Sequence, residues 1–335
     1  MKKVQILSAK SFLPNQKVKS IDLFEEFKSE QNYGISKEWM SKDMGIHERR
    51  LSSSESKPSD LAIPAAEKAI ADAGISYDGI DMVIFCGIER DRPEPATAHT
   101  IAHKLGINPQ HSFDVSNACF GFIEGVKIAT KFIETTAIKH ALIVTAEVAS
   151  NVTYAVLELL KQGMNQDEVK NYIGGLSIGD AGGAVVLGES RDGVSGFDLF
   201  NTATLPIHAD KCYYHFDKLG RFHGQMRMAQ ISAVMLKGHR DLFKETMKQL
   251  NWEKPDFLLS HQVGKKPWEK LSEIAGCAEI DNHMKTFDKL GNIASATFPV
   301  NFEKLTKHDR VEKHNKVAGY FAGSGLVIGQ FGYTI

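Results

Sequence analysis

Cys119 stands in the segment FDVSNACFGFIEG, where an apolar run ends near Val115 and an amphipathic helical pattern begins at about the cysteine itself. The unpaired N–H groups and positive dipole end of a helix favour a thiolate, the nucleophilic form of a group whose ordinary pKa is about 8.5. Attack by such a sulfur on an acyl carbonyl passes through a tetrahedral oxyanion, which needs preorganised N–H donors, and leaves an acyl-cysteine. Read without its neighbours, Cys119 is equally a small apolar residue at a packed junction. His261 follows the apolar run DFLLS, at the edge where open α/β sheets place their ligands. Asn292 follows Gly291 in LGNIASAT, and Glu94 precedes a proline in RDRPEPATAH. Taken singly, these three read as a hydrogen-bonded structural histidine, a turn residue and a surface glutamate.

Other clusters point to no separate chemistry. GDAGGAVVLG has the glycines of a phosphate loop but lacks its lysine and precedes a strand pattern, so it reads as a tight turn at a packed strand. His208, His215 and His223 share one polar stretch at spacings that match neither a helical i, i+4 pair nor a zinc finger, which leaves them a surface or tunnel-wall role. No metal site is expected. Cys86, within MVIFCGI, reads as core, and Cys212 and Cys277 have no partner motif.

The elements that must position these residues alternate. Residues 59–74 carry apolar side chains at helical spacing and close on Gly74, and IDMVIFCGI then reads as a strand buried on both faces. A helix is predicted near 96–105, a strand at 111–115, a helix from about 119 to 135 and a strand at 140–148. Residues 151–176 look like a polar helical excursion outside the core. Beyond GDAGGAVVLG the rhythm resumes with a helix at about 225–250, a strand at 256–262, a helix after Pro267 and a hairpin in AGYFAGSGLVIGQF. This is α/β architecture. Two halves of similar order suggest an internal duplication divided near 190–200, packed as one unit because no Pro- or Ser-rich linker separates them.

Composition removes several classes of function. The chain has 335 residues, with 42% hydrophobic and 24% charged, enough for a substantial core. Its 40 basic and 41 acidic side chains nearly cancel, so neither nucleic acid nor an anionic membrane is an expected partner. No apolar run approaches the roughly 20 residues that span a bilayer. Four scattered cysteines without a C-x-x-C pair suit a reducing cytoplasm.

DVSNACFGFIEG resembles the nucleophile motif of the ketoacyl-acyl-carrier-protein synthase III group of the thiolase superfamily. The resemblance recurs in order along nearly the whole chain, in KEWMSKDMGIHERR, SIGDAGGAVVLG, SHQVGKK, LGNIASAT and AGSGLVIGQF. It implies a thiolase fold of duplicated halves in a five-layered αβαβα arrangement, with residues 1–195 carrying the nucleophile and 196–335 carrying His261 and Asn292. It implies a Cys119–His261–Asn292 triad, in which the latter two hydrogen-bond the carbonyl of a second thioester and stabilise its enolate. The oxyanion donors would be the backbone N–H groups of Cys119 and Ser324, the latter at a position where the family more often has glycine.

The resemblance extends to partners. RDRPEPATAH corresponds to a loop that crosses a homodimer interface towards the other subunit's acyl pocket, commonly with Phe before the proline; Glu94 there resembles the branch that joins two acyl thioesters head to head, with a carboxylate as base for the α-proton. Trp39 matches a residue that stacks on the adenine of coenzyme A, and Lys266 one that meets phosphates of coenzyme A or a carrier protein. Asp43 stands where the family has an arginine. The expected activity is acyl transfer to Cys119 and Claisen condensation with a second acyl or malonyl thioester, with acyl-CoA or acyl-carrier-protein thioesters as substrates and no resident cofactor. Two alternatives are acyl transfer to an oxygen or nitrogen acceptor and a non-catalytic partner subunit; retention of His261, Asn292 and Cys119 argues against both.

Overall fold

The structure is a computed structural model describing residues 2–277 and 280–335. Its first sheet has five strands in the spatial order Val4–Phe12, Ala181–Glu189, His140–Glu147, Met82–Cys86 and His111–Val115. The last three run parallel, and Ala181–Glu189 is antiparallel to both of its neighbours. Every residue of Met82–Cys86 is buried, as a continuous apolar run covered on both faces requires. The second sheet orders Phe257–Ser260, Lys316–Gly323, Val327–Thr334 and Gly196–Thr204, with only the first pair parallel.

Helices Pro58–Ala73 and Thr97–Leu105 cover the outer face of the first sheet, burying Ala62, Ala66, Ile70 and Ile101 against Val83, Phe85 and Leu142. Helices Gly121–Thr135 and Thr297–Leu305 lie between the sheets, where the rings of Phe122 and Phe298 stand 5.6 Å apart. Helices Met228–Leu250 and Lys265–Ala275 close the outer face of the second sheet over Leu258, Tyr320 and Ile328. The result is the five-layered αβαβα arrangement of duplicated halves. Strands of the first sheet end at Glu189 and those of the second begin at Gly196.

Three elements differ from expectation for identifiable reasons. The central helix opens at Gly121, so Cys119 lies in the turn before it. Helix Lys265–Ala275 begins ahead of Pro267, which its first turn tolerates because the N–H there has no intrahelical partner. The stretch expected to be a polar excursion forms helices Ser150–Gln162 and Gln166–Tyr172, and its apolar stripe, Val152, Val156, Leu160 and Val169, packs with Phe24 and Met40 as core. Among the described residues no helix is long and apolar enough to cross a membrane.

Candidate active site

The chain reaches Cys119 through Ala118, whose φ of 47° is left-handed. For a residue with a Cβ that conformation costs roughly 1–2 kcal/mol, which the surrounding packing sustains. It turns the backbone sharply beyond the strand His111–Val115 and aims the thiol into a cavity of about 530 Å³. The loop after Lys316–Gly323 presses on this turn: a methyl group on Gly323 would meet the carbonyl oxygen of Asn117 at 2.9 Å and the nitrogen of Phe120 at 3.0 Å. Ser324, next in that loop, lines the cavity together with Cys212. The left-handed residue of the loop is Gly325, with φ 127°, so Ser324 is spared the strain that its side chain would feel there.

The thiol of Cys119 is held well above its ordinary pKa, first by burial, then by Glu147 and Cys212. Desolvation outweighs the helix end, contrary to expectation from position alone. The proton therefore stays on sulfur in the resting protein and must leave as the sulfur attacks.

His261 follows Ser260 at the end of its strand, and its backbone N–H donates to the carbonyl of Tyr320 at 2.9 Å. Burial lowers its imidazole pKa to about 4, so the ring is neutral near pH 7. Asn292 is presented by Gly291, whose φ is 67° and whose Cβ, were there one, would lie 2.4 Å from the carbonyl oxygen of Ser177. The N–H of Asn292 donates to that same oxygen at 2.9 Å, and its Oδ1 accepts from the N–H of Ala294 at 3.0 Å. The amide nitrogen is left to face the cavity.

Cys119, His261, Asn292 and Ser324 thus converge from four segments on one cavity, whose walls also include Ile88, Met228, Ile231 and Leu326. A neutral imidazole and an amide N–H facing a thiol suit a reaction in which negative charge develops on a carbonyl oxygen. The other expected residues lie elsewhere in the chain. Glu94 is exposed, next to the cis peptide Glu94–Pro95. Trp39 packs against Phe24 with ring centroids 6.1 Å apart and borders a separate groove of about 370 Å³ with Tyr33, Ile35 and Lys170. Lys266 is exposed in the first turn of its helix. His215 joins the cavity wall and stacks on His223 at 5.2 Å, while His223 faces Asp217. Among the described residues no three His, Cys, Asp or Glu side chains are grouped to hold a metal ion.

Several residues at the site escaped sequence reasoning. Glu147 is buried at the end of its strand, its Oε1 accepting from Ser295 Oγ, and burial pushes its pKa up to about 8. Ser295 also contacts Thr145 Oγ1 at 2.5 Å, so this network anchors the turn that bears Asn292. Glu89 and Tyr214 line the cavity and bond to each other at 2.6 Å. The available signal was a lone acid at or just past the end of an apolar strand, as in HALIVTAE and MVIFCGIE.

The chain is similar to known proteins over nearly its whole length. The profile of the 3-oxoacyl-[acyl-carrier-protein (ACP)] synthase III family matches residues 113–204, and that of the same family's C-terminal part matches residues 246–334. A β-ketoacyl-[acyl-carrier-protein] synthase III of Oceanobacillus iheyensis is 28% identical over 328 residues, covering 97% of this chain and 97% of that protein. An acyl-CoA:acyl-CoA alkyltransferase of Xanthomonas campestris is 29% identical over 300 residues, 88% of this chain and 87% of that one. The crystal structure of Xanthomonas campestris OleA with bound lauric acid and lauroyl-CoA superposes with a TM-score of 0.92 at 26% identity, covering 99% of each chain.

Proposed function

Given that the chain belongs to the 3-oxoacyl-[acyl-carrier-protein] synthase III family of thioester-condensing acyltransferases, we propose that Cys119, His261 and Asn292 are its catalytic residues and that two acyl thioesters are joined head to head. The observation that supports this most directly is the convergence of a thiol, a neutral imidazole and an amide N–H on one largely apolar cavity. Cys119 Sγ attacks the thioester carbonyl, the oxyanion is held by the N–H groups of Cys119 and Ser324, and the carrier thiol leaves with the proton that sulfur gives up. His261 and Asn292 then hydrogen-bond the carbonyl oxygen of the second thioester as its α-carbon is deprotonated. The carbanion attacks the acyl-cysteine carbonyl, a C–C bond forms, and Cys119 departs as the leaving group.

In this reading the α-proton passes to Glu94 of a second copy in a homodimer. The strand His111–Val115 is the open edge of the first sheet, and the carboxylate of Asp114 on that edge accepts from the N–H groups of Thr97 and Ala98 at 2.9 Å each. The Glu94 segment is thereby tied to an edge available for pairing with another subunit. Trp39 and Lys266 are proposed to meet coenzyme A or a carrier arm outside the cavity, residues 1–195 and 196–335 to act as the two thiolase-like halves, and the reducing cytoplasm to be the working compartment.

The test is incubation with a panel of acyl-CoA and acyl-carrier-protein thioesters, with intact mass reporting the retained acyl group. Wild-type protein should hold one acyl group and Cys119→Ala none; an adduct that persists in Cys119→Ala rejects the assignment.

A further inference from the structure

Ile88, Met228, Ile231 and Leu326 give the cavity walls suited to an alkyl chain. Glu89 and Tyr214 interrupt them. Glu89 leaves the C-terminal edge of Met82–Cys86, and Tyr214 is the middle residue of the strand Cys212–Phe216, so their hydrogen bond joins the first sheet to the hairpin that walls the cavity. Tyr214 Oη donates and Glu89 Oε1 accepts, at 2.6 Å. Burial, and then the Glu89 carboxylate, push the phenol well above its ordinary pKa, with Glu147 and the Cys119 thiol adding to the rise. The proton stays on Tyr214, which donates it to the Glu89 oxygen. One carboxylate oxygen is engaged, and the other keeps lone pairs that an alkyl chain cannot meet. Seating a plain hydrocarbon there would remove water from a charge and return nothing. A hydroxyl returns the missing donor.

We propose that the Glu89–Tyr214 pair is a specificity element that selects a hydroxyl-bearing acyl group for Cys119. The pair and Cys119 line the same cavity, so an acyl chain carried on that sulfur shares its enclosure with the pair. The proposal rests on acyl capture by Cys119, which the same experiment checks separately. A site that hydrogen-bonds a substrate hydroxyl discriminates against the analogue lacking it, because the protein group is then left unpaired.

The experiment measures the rate at which Cys119 is loaded by 3-hydroxydecanoyl-CoA and by decanoyl-CoA, read by intact mass, in wild-type protein, Glu89→Gln and Tyr214→Phe. Wild type should load the hydroxylated thioester about 10- to 100-fold faster, the range of a hydrogen bond to a charged group. Glu89→Gln keeps the shape and removes the charge, and should bring the ratio to within about threefold of one; Tyr214→Phe should lower it as well. Equal loading by wild type overturns the proposal, as does a preference that survives Glu89→Gln. So does a Glu89→Gln protein that keeps the preference in loading and fails only in condensation, since Glu89 would then act on the second substrate. Loading of neither thioester by wild type would reject acyl capture itself, and this proposal with it.

Discussion

Asn292 Oδ1 accepts from the backbone N–H of Ala294 at 3.0 Å, and this one bond decides which end of the amide faces the catalytic cavity. With oxygen committed to the turn, the NH₂ group is what Asn292 offers to a developing enolate.

Asn292→Asp follows from that relationship. A carboxylate keeps the bond from Ala294 but presents no N–H to the second thioester and places a negative charge where an oxyanion forms. Condensation should fall by about 10²- to 10³-fold, the usual cost of losing an oxyanion donor. Loading of Cys119 should stay within a few-fold of wild type, so intact mass would show the acyl adduct accumulating. Equal losses in loading and condensation would place Asn292 in the first half-reaction instead.

Glu94 can be assigned to its own or the partner's cavity by mixing inactive subunits. Glu94→Ala and Cys119→Ala should each condense poorly alone. Co-expressed, hybrid dimers would contain one site with both groups only if Glu94 crosses the interface, and random pairing would then restore about a quarter of wild-type turnover. No recovery would show that Glu94 acts within its own chain or not at all.

Glu147 makes stability depend on pH in a direction opposite to the usual carboxylate. Its pKa is about 4.5 in the unfolded chain and is raised to about 8 by burial in the folded one. Between those values the folded protein holds a proton that the unfolded chain has released, so stability present at pH 4.5 declines as pH rises to about 8 and then levels off. Glu147→Gln keeps an acceptor for Ser295 and removes the titration. Its melting temperature should exceed that of wild type by about 4 °C or more at pH 8, and the difference should shrink towards pH 5. A constant offset between the two proteins across that range would show that Glu147 is already ionised when folded.

Much of the frame was legible because its cause is local. The alternation of fully apolar runs such as MVIFC with amphipathic stretches closed by glycine identifies buried strands and covering helices without knowledge of their neighbours, and Gly74 does take the left-handed cap, with φ 69°. The apolar stripe of residues 150–172 was harder to see, because Asn, Gln, Glu and Lys are scattered among its apolar residues while Val152, Val156 and Leu160 share one face. Glu89, Glu147 and Tyr214 were not legible as site residues. Nothing within ten residues of Tyr214 announces that it will reach Glu89, which lies 125 positions away.

Residue types and their immediate neighbours determined that a cysteine stands after a strand, that a histidine stands at a strand end and that an asparagine follows a glycine, because these depend on interactions a few residues long. Only the tertiary structure decided their environment. It enclosed Cys119 so that burial raises its pKa where the helix end alone would lower it, kept His261 neutral, turned the nitrogen of Asn292 towards the cavity and left Glu94 outside it. Desolvation and pairing are summed over everything that surrounds a group in space, and that sum has no counterpart along the chain.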